Sequence, residues 1–190
     1  MMKSISCFFV GRNIYSTFLH LTLLVLAIEV AILAKQNHEL KEKIGQSLES
    51  LKIGDYFAMD DLVSLQPDYR IDSTSRYLLF IFTTTCPFCK QNLEHWNQVA
   101  NKTWESNTHK LGISLDGVDE TSRYLKDNNV VFPVVCSRDA KNFQKKNKIE
   151  IVPTTVARND VGKVENMWAG LLNQKEIQEV IDACSHKLNH

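Results

Sequence analysis

The sequence holds no basic block and no basic stripe interleaved with aromatics, so nothing in it suits nucleic acid. Lys plus Arg and Asp plus Glu stand at 22 each, which leaves the net charge near zero. There is no internal repeat and no low-complexity tract. Cysteine is sparse: Cys7, Cys86, Cys89, Cys136 and Cys184 are the only five, and a single pair is close in sequence. That density excludes a small fold stapled by disulfides. No second Cys-x-x-Cys and no His pair at ligand spacing accompanies the close pair, so a zinc site lacks its other half. At 190 residues the chain has room for one ordinary domain and an appendage.

What is present centres on Thr83-Thr84-Thr85-Cys86-Pro87-Phe88-Cys89-Lys90. An unbroken apolar run, Tyr77 to Phe82, precedes it. Behind it Cys89, Leu93, Trp96 and Ala100 step by four, three and four, a helical period. Two cysteines separated by two residues, at a strand-to-helix turn, read as a redox dithiol. The helix N-terminus brings partial positive charge and free N–H groups. Both favour a thiolate on Cys86, the thiol nearest that end. Pro87 suits the first helical turn, where its missing N–H costs nothing. Phe88 offers apolar surface beside the reactive sulfur, for partner contact or packing.

From Ile14 to Ala34 the chain is mostly apolar, and about 20 helical residues span a bilayer core. Glu29 costs roughly 3 kcal/mol near the centre of such a span, while large aliphatics return about 0.3–0.6 kcal/mol each. The many aliphatics between Leu19 and Leu33 tip the sum toward insertion. No small-x-small cleavage pattern follows, so an uncleaved signal-anchor is expected, with Cys7 a plain free thiol. Lys3 and Arg12 precede the span and Lys35, Lys41 and Lys43 follow it, so the positive-inside count leaves orientation open. A redox dithiol is the argument for placing the bulk outside the cytoplasm. Gln36 to Lys52 carries a thin stripe of Leu40, Ile44, Leu48 and Leu51, read as a single linker helix. The expected division is a tail over 1–13, a membrane helix over 14–34, a linker over 35–52 and a domain over 53–190.

In the domain, two short extended pieces are expected before the strand Tyr77–Phe82, and the dithiol helix runs to about Lys102. A strand follows over Lys110–Leu115, then a helix capped by Asp119 and ending near Asn128. Val130–Cys136 reads as a strand that Pro133 can delay. Asp139 to Lys148 is a basic helix. Ile149–Arg158 and Lys163–Trp168 form a hairpin around Asn159-Asp160-Val161-Gly162. The last helix spans Asn173 to Lys187, with Leu172, Ile177, Val180, Ile181 and Cys184 on one face. Strands alternating with helices imply an α/β fold with a central mixed sheet and helices on both faces. His95 is read as a helix-surface residue and His109 as a loop residue. Cys136 and Cys184 are read as inert core thiols.

These residues resemble the thioredoxin fold, in three layers with an N-terminal transmembrane helix. Cys86-Pro87-Phe88-Cys89 matches the family's dithiol, Ile151-Val152-Pro153-Thr154-Thr155 looks like its cis-proline loop, and Gly170 stands where the family has a glycine. The start at Ile53-Gly54-Asp55 and the extra helix and strand over 119–136 are similar to the membrane-anchored TlpA/ResA-like branch. Three positions depart from relatives: Thr85 replaces a Trp, Phe80 a buried acid, and Asn92 a Glu. No acid therefore stands at either familiar proton-relay position.

The resemblance implies an enzyme that exchanges thiols and disulfides through a Cys86–Cys89 disulfide, with Val152 and Pro153 contacting the client chain. It implies a reductant of exported proteins, cytochrome maturation among the possibilities, that requires no cofactor and no metal. Its partners are protein disulfide or dithiol clients and a membrane electron donor or acceptor. Its place is the cell (inner) membrane, single-pass, with the domain on the periplasmic or extracytoplasmic side. A disulfide oxidase or isomerase, and a Sco-like copper-binding assembly factor, are the alternatives.

Overall fold

The computed structural model describes residues 18–37 and 50–185. They fall into two units, a single helix and a body that starts at Ser50. Helix α1, Phe18–Asn37, has 20 residues, a mean hydropathy of 2.1 and no buried portion. At 1.5 Å per residue it is about 30 Å long, enough to cross a hydrocarbon core. It continues past Ala34, where the sequence ends the apolar run. Residues 14–17, the tail with Cys7, and the linker stripe of Leu40, Ile44 and Leu48 lie outside the described residues. Leu51, the last residue of that stripe, is buried in the body, and its N–H donates to the Lys148 carbonyl at 3.1 Å.

The body runs β1 Leu62–Ser64, β2 Tyr77–Phe82, α2 Pro87–Lys102, β3 His109–Ser114 and α3 Val118–Asp127. It continues with β4 Val134–Ser137, α4 Ala140–Lys146, β5 Thr154–Arg158, β6 Val164–Ala169 and α5 Gln174–Ser185. Six strands form one sheet in the order β1-β4-β3-β2-β5-β6. β2 lies parallel to β3, and β3 parallel to β4; the other neighbours are antiparallel.

Strand β2 has no exposed residue, because both faces of the sheet are covered there. Leu78, Phe80 and Phe82 face one core with Leu93, Trp96 and Val99 of α2 and Ile177 and Val180 of α5. Tyr77, Leu79 and Ile81 face the other core with Phe143 of α4 and Phe57. The period of two thus divides one apolar run between two layers of helix. This is the three-layer thioredoxin-like arrangement expected from the sequence.

Two contacts fix the frame. Trp96 stacks on Phe80 with ring centroids 5.1 Å apart, and its Nε1–H donates to Thr155 Oγ1 at 2.9 Å. That ties α2 across β2 to β5. Arg158 is buried, and among the described residues it has no carboxylate hydrogen-bond partner. Its guanidinium donates to the carbonyls of Phe57, Ser73, Ser75 and Asn159 at 3.0–3.3 Å. In the β5–β6 turn Gly162 has φ +86, and a Cβ there would meet the Tyr56 ring at 2.3 Å. A side chain is excluded on both counts.

Several local expectations need correction. Asp119 lies in the first turn of α3; the cap is Gly117, which makes no side-chain cap bond. An acid in that turn still favours the helix dipole. Strand β4 begins only at Val134, after Pro133, whose carbonyl accepts from Gly112 N–H at 2.8 Å. β5 begins at Thr154, and Ile149 to Pro153 form a loop. His109 is the first residue of β3, with its ring 5.4 Å from that of Tyr77. His95 is half-buried, and its Nδ1 has no hydrogen-bond partner among the described residues.

Candidate active site

The site begins where β2 runs out at Phe82. Thr83 and Thr84 turn the chain, and Cys86 takes an extended conformation, φ −79 and ψ 117, as the N-cap of α2. Its sulfur accepts the Cys89 N–H at 3.2 Å, as a Ser or Asp oxygen does in the usual cap. The Cys86 carbonyl takes the Lys90 N–H at 3.2 Å and opens the helical ladder. Pro87 occupies the first turn, where no intrahelical donor is needed.

The two thiols have different surroundings. Cys86 is half-buried and Cys89 only 1 % exposed, and both are free thiols here. Burial, followed by the neighbouring Cys86 side chain, pushes the Cys89 thiol up to about 12. Phe88, between them in sequence, is 57 % exposed.

Opposite the dithiol stands the loop before β5. The Val152–Pro153 peptide is cis, and the Cys86 thiol lies 3.8 Å from the Val152 carbonyl oxygen. Pro153 is buried, and its carbonyl accepts the Gly170 N–H at 2.7 Å. Gly170 has φ +93, a left-handed conformation that glycine adopts without strain. Cys86, Cys89, Phe88, Val152 and Pro153 are therefore gathered at one end of the sheet, from segments 66 residues apart. Ile151 and Leu171 are exposed apolar residues of the same loops.

Asn92 is fully buried. Its Nδ2 donates to Gly170 O at 3.4 Å, and its Oδ1 accepts from Leu172 N–H at 3.1 Å. The amide is committed to pinning the 170–172 loop against α2. Glu94 points outward and is exposed. Tyr124 of α3 packs on Phe82 with rings 5.7 Å apart. Burial first, then the nearby Cys89 and Cys86 sulfurs, push its phenol up.

One residue of the site goes unremarked in the sequence. Asp116, just past β3, accepts from the Thr84 N–H at 2.5 Å and from the Thr84 hydroxyl at 2.7 Å. The signal lies in the pairing: β3 is parallel to β2 with Ser114 opposite Phe82, so the residues after each strand emerge side by side. That register is a long-range fact which local periodicity does not carry.

Cys136 and Cys184 are buried free thiols, and burial pushes both up. Among the described residues no three His, Cys, Asp or Glu side chains converge to hold a metal ion.

Comparison with solved structures gives the same fold. The thiol:disulfide interchange protein DsbE from Chlorobium tepidum superposes with a TM-score of 0.61 at 21% identity, covering 71% of this chain and 99% of that one. StoA from Bacillus subtilis gives 0.53 at 17% identity, covering 63% and 95%. The thioredoxin-related protein from Neisseria meningitidis serogroup B gives 0.54 at 18%, covering 65% and 97%. No curated protein is a significant match by sequence. Residues 60–167, more than half of the chain and everything from β1 to β6 but the last two residues, match the model of the AhpC/TSA family. With its thioredoxin-like sheet and a dithiol at the N-terminus of α2, the chain belongs to the AhpC/TSA family.

Proposed function

We propose that the chain is a membrane-tethered thiol-disulfide oxidoreductase that reduces disulfides of proteins outside the cytoplasm. One observation carries the reading: the half-buried Cys86 thiol caps a helix beside the Val152 carbonyl, with the buried Cys89 thiol one turn behind. Family membership and this geometry support an enzyme of the thiol-disulfide oxidoreductase class. The apolar helix α1 supports a single-pass anchor, with residues 53–190 as the catalytic domain.

The chemistry runs in two exchanges. Cys86 thiolate attacks one sulfur of a client disulfide; the client S–S bond breaks, and the displaced sulfur leaves as a thiolate and takes up a proton. Cys89 then gives up its proton and attacks Cys86 Sγ. The mixed disulfide breaks, and the second client sulfur leaves and takes a proton in turn. Two electrons pass from the dithiol to the client, and the Cys86–Cys89 disulfide forms. A membrane dithiol donor resets it by the same exchange in reverse. Val152 aligns the client backbone like an added strand, Pro153 keeps that loop close to the sulfurs, and Phe88 offers apolar contact. Apocytochrome thiols awaiting haem are one client class that such a reductant serves.

The test is a pair of variants. Cys86→Ser should abolish insulin reduction, and Cys89→Ser should accumulate mixed disulfides on Cys86. Full turnover by Cys89→Ser would sink the reading. A reduction potential near about −270 mV or below fits a reductant, and one near about −120 mV points to an oxidase. A reporter active only outside the cytoplasm, fused after residue 190, should be active; a silent fusion would overturn the proposed topology.

A further inference from the structure

Helix α1 carries its polar side chains in one line. Between Leu21 and Ala34 every residue is apolar except Thr22 and Glu29, and Gln36 follows Glu29 at the same heptad interval that separates Glu29 from Thr22. A heptad drifts only about 20° around a straight helix, so the three fall on one face within about 40°. Phe18, Val25 and Ile32 fill the positions between them, giving steps of four and three in alternation along the whole helix. That is the seam of a left-handed helix pair, with Thr22, Glu29 and Gln36 on one of its two rows.

Glu29 stands at the worst depth for an acid. At a rise of about 1.5 Å per residue it lies about 2 Å along the axis from the midpoint of Phe18–Asn37. His20 and Lys35 sit in the first and last turns, where a polar tip reaches the headgroups. The Thr22 hydroxyl donates to the Leu19 carbonyl at 2.9 Å, so its proton is satisfied within the helix. Among the described residues Glu29 has no hydrogen bond and no ion pair, and no part of α1 is buried. An acid held in hydrocarbon turns toward a protein partner.

The seam identifies that partner. A neighbouring helix with one cation would answer Glu29 alone and leave Thr22 and Gln36 facing apolar surface. A second α1 answers the whole row. Copies inserted with the same topology lie parallel, so each seam position meets its own counterpart across a two-fold axis. A Gln amide both donates and accepts, and a Thr hydroxyl accepts while its proton is in use. Two carboxyls brought face to face do not both ionise, and one proton between them closes a hydrogen bond. We propose that α1 pairs in the membrane with a second copy of itself along Phe18, Thr22, Val25, Glu29, Ile32 and Gln36, with Glu29 facing Glu29. The inference rests on the membrane-anchor reading above and names the partner of that anchor.

The experiment reconstitutes full-length protein, labelled at its C-terminus with donor or acceptor dye, into phosphatidylcholine vesicles. Energy transfer between copies is followed as lipid is added. Wild type should exceed a monomeric membrane control and fall on dilution. Glu29→Ala should weaken self-association at least about tenfold, while Glu29→Gln, a neutral donor and acceptor, should stay within about threefold of wild type. Leu24→Ala, on the opposite face, should stay within about twofold. Insulin reduction should be unchanged in all three variants, since none touches the dithiol. Wild-type transfer no greater than the control overturns the proposal. So does an undiminished Glu29→Ala, or a Leu24→Ala as weak as Glu29→Ala. Glu29-dependent capture of a different membrane protein by a monomeric wild type also overturns it. A wild-type protein that alkaline carbonate strips from the vesicles sinks the anchor reading instead, so the two failures are distinguishable.

Discussion

The main-chain nitrogen of Cys89 lies 3.2 Å from the sulfur of Cys86. The second cysteine of the pair thus holds the first with its backbone, while its own side chain is buried beneath α2. The same three-residue spacing that defines the motif also places that donor. An N-cap side chain accepts from the second or third helical residue, so the proposed nucleophile and the cap are one atom.

This arrangement predicts a hierarchy of reactivity. Under limiting iodoacetamide at neutral pH, the reduced protein should be modified first at Cys86. Cys89 should lag by at least about a hundredfold, since its anion is disfavoured by burial and by its neighbour. Cys136 and Cys184 should stay silent until the protein is denatured. Peptide mapping after timed alkylation reads this directly, and comparable rates at Cys86 and Cys89 would refute it.

A second expectation concerns alkaline stability. The Cys89 thiol is raised from 9.0 to about 12 in the folded protein. The unfolded chain therefore loses this proton first as pH rises. The stabilisation is fully present below about pH 9 and is lost progressively toward pH 12. Denaturant midpoints of the reduced protein should fall across that window. Cys89→Ala should flatten the fall, and an unchanged pH dependence in that variant would contradict the assignment.

Asn92 supplies a third. Replacing it with Ala leaves the buried Leu172 N–H and the Gly170 carbonyl without their side-chain partner. The cost should be about 1–3 kcal/mol in urea unfolding. Insulin reduction should also slow, because Gly170 in turn holds the Pro153 carbonyl opposite Cys86. A loss of stability below about 0.5 kcal/mol would mean that the loop is held by other contacts.

Much of this fold is written in local pattern. The run Tyr77–Phe82, the step from Cys89 to Ala100 and the apolar face of α5 each identify an element, because each is a periodicity within one segment. Boundaries that depend on tertiary pairing are less legible. Val130 and Val131 look like strand residues, yet β4 pairs only from Val134, where its neighbour β3 is within reach. Asp119 looks like a cap, but the helix is already capped before it, at Gly117. The dithiol is legible because its chemistry is carried by two residues close together. Asp116 is not, because its meaning comes from the register of two parallel strands.

A fourth prediction addresses the remaining thiols. Cys136 lies on β4 opposite Ser114, with its thiol 3.9 Å from the Gly117 carbonyl, at the dithiol end of β3. Cys184 feels the charge of Lys110, at the other end of that strand. Lys110 and Ser114 are four residues apart on β3, about 13 Å. A disulfide requires Cα atoms within about 7 Å. Oxidised protein lacking Cys7 should therefore show two free thiols on denaturation and one bridge, Cys86–Cys89. A peptide joining 136 to 184 would refute this.

Phe88 carries the last. Its ring is exposed beside the proposed nucleophile, Cys86. Phe88→Ser should leave the reduction potential and the urea midpoint close to wild type. It should raise KM for a protein client about three- to tenfold with kcat retained, a loss of about 0.6–1.4 kcal/mol of apolar contact. A fall in kcat at constant KM would assign Phe88 to the chemistry instead.

The carbonyl clamp of Arg158 has a consequence for biosynthesis. The oxygens it gathers belong to Phe57, Ser73 and Ser75, which lie 83 to 101 residues earlier in the chain. At about 5–20 residues per second, the interval between making those carbonyls and making their partner is on the order of 5–20 s. Throughout that interval the segment before β2 has no guanidinium to close on, whatever the state of the dithiol helix behind it. The N-terminal border of the body therefore cannot close until β5, which carries that arginine, has been made.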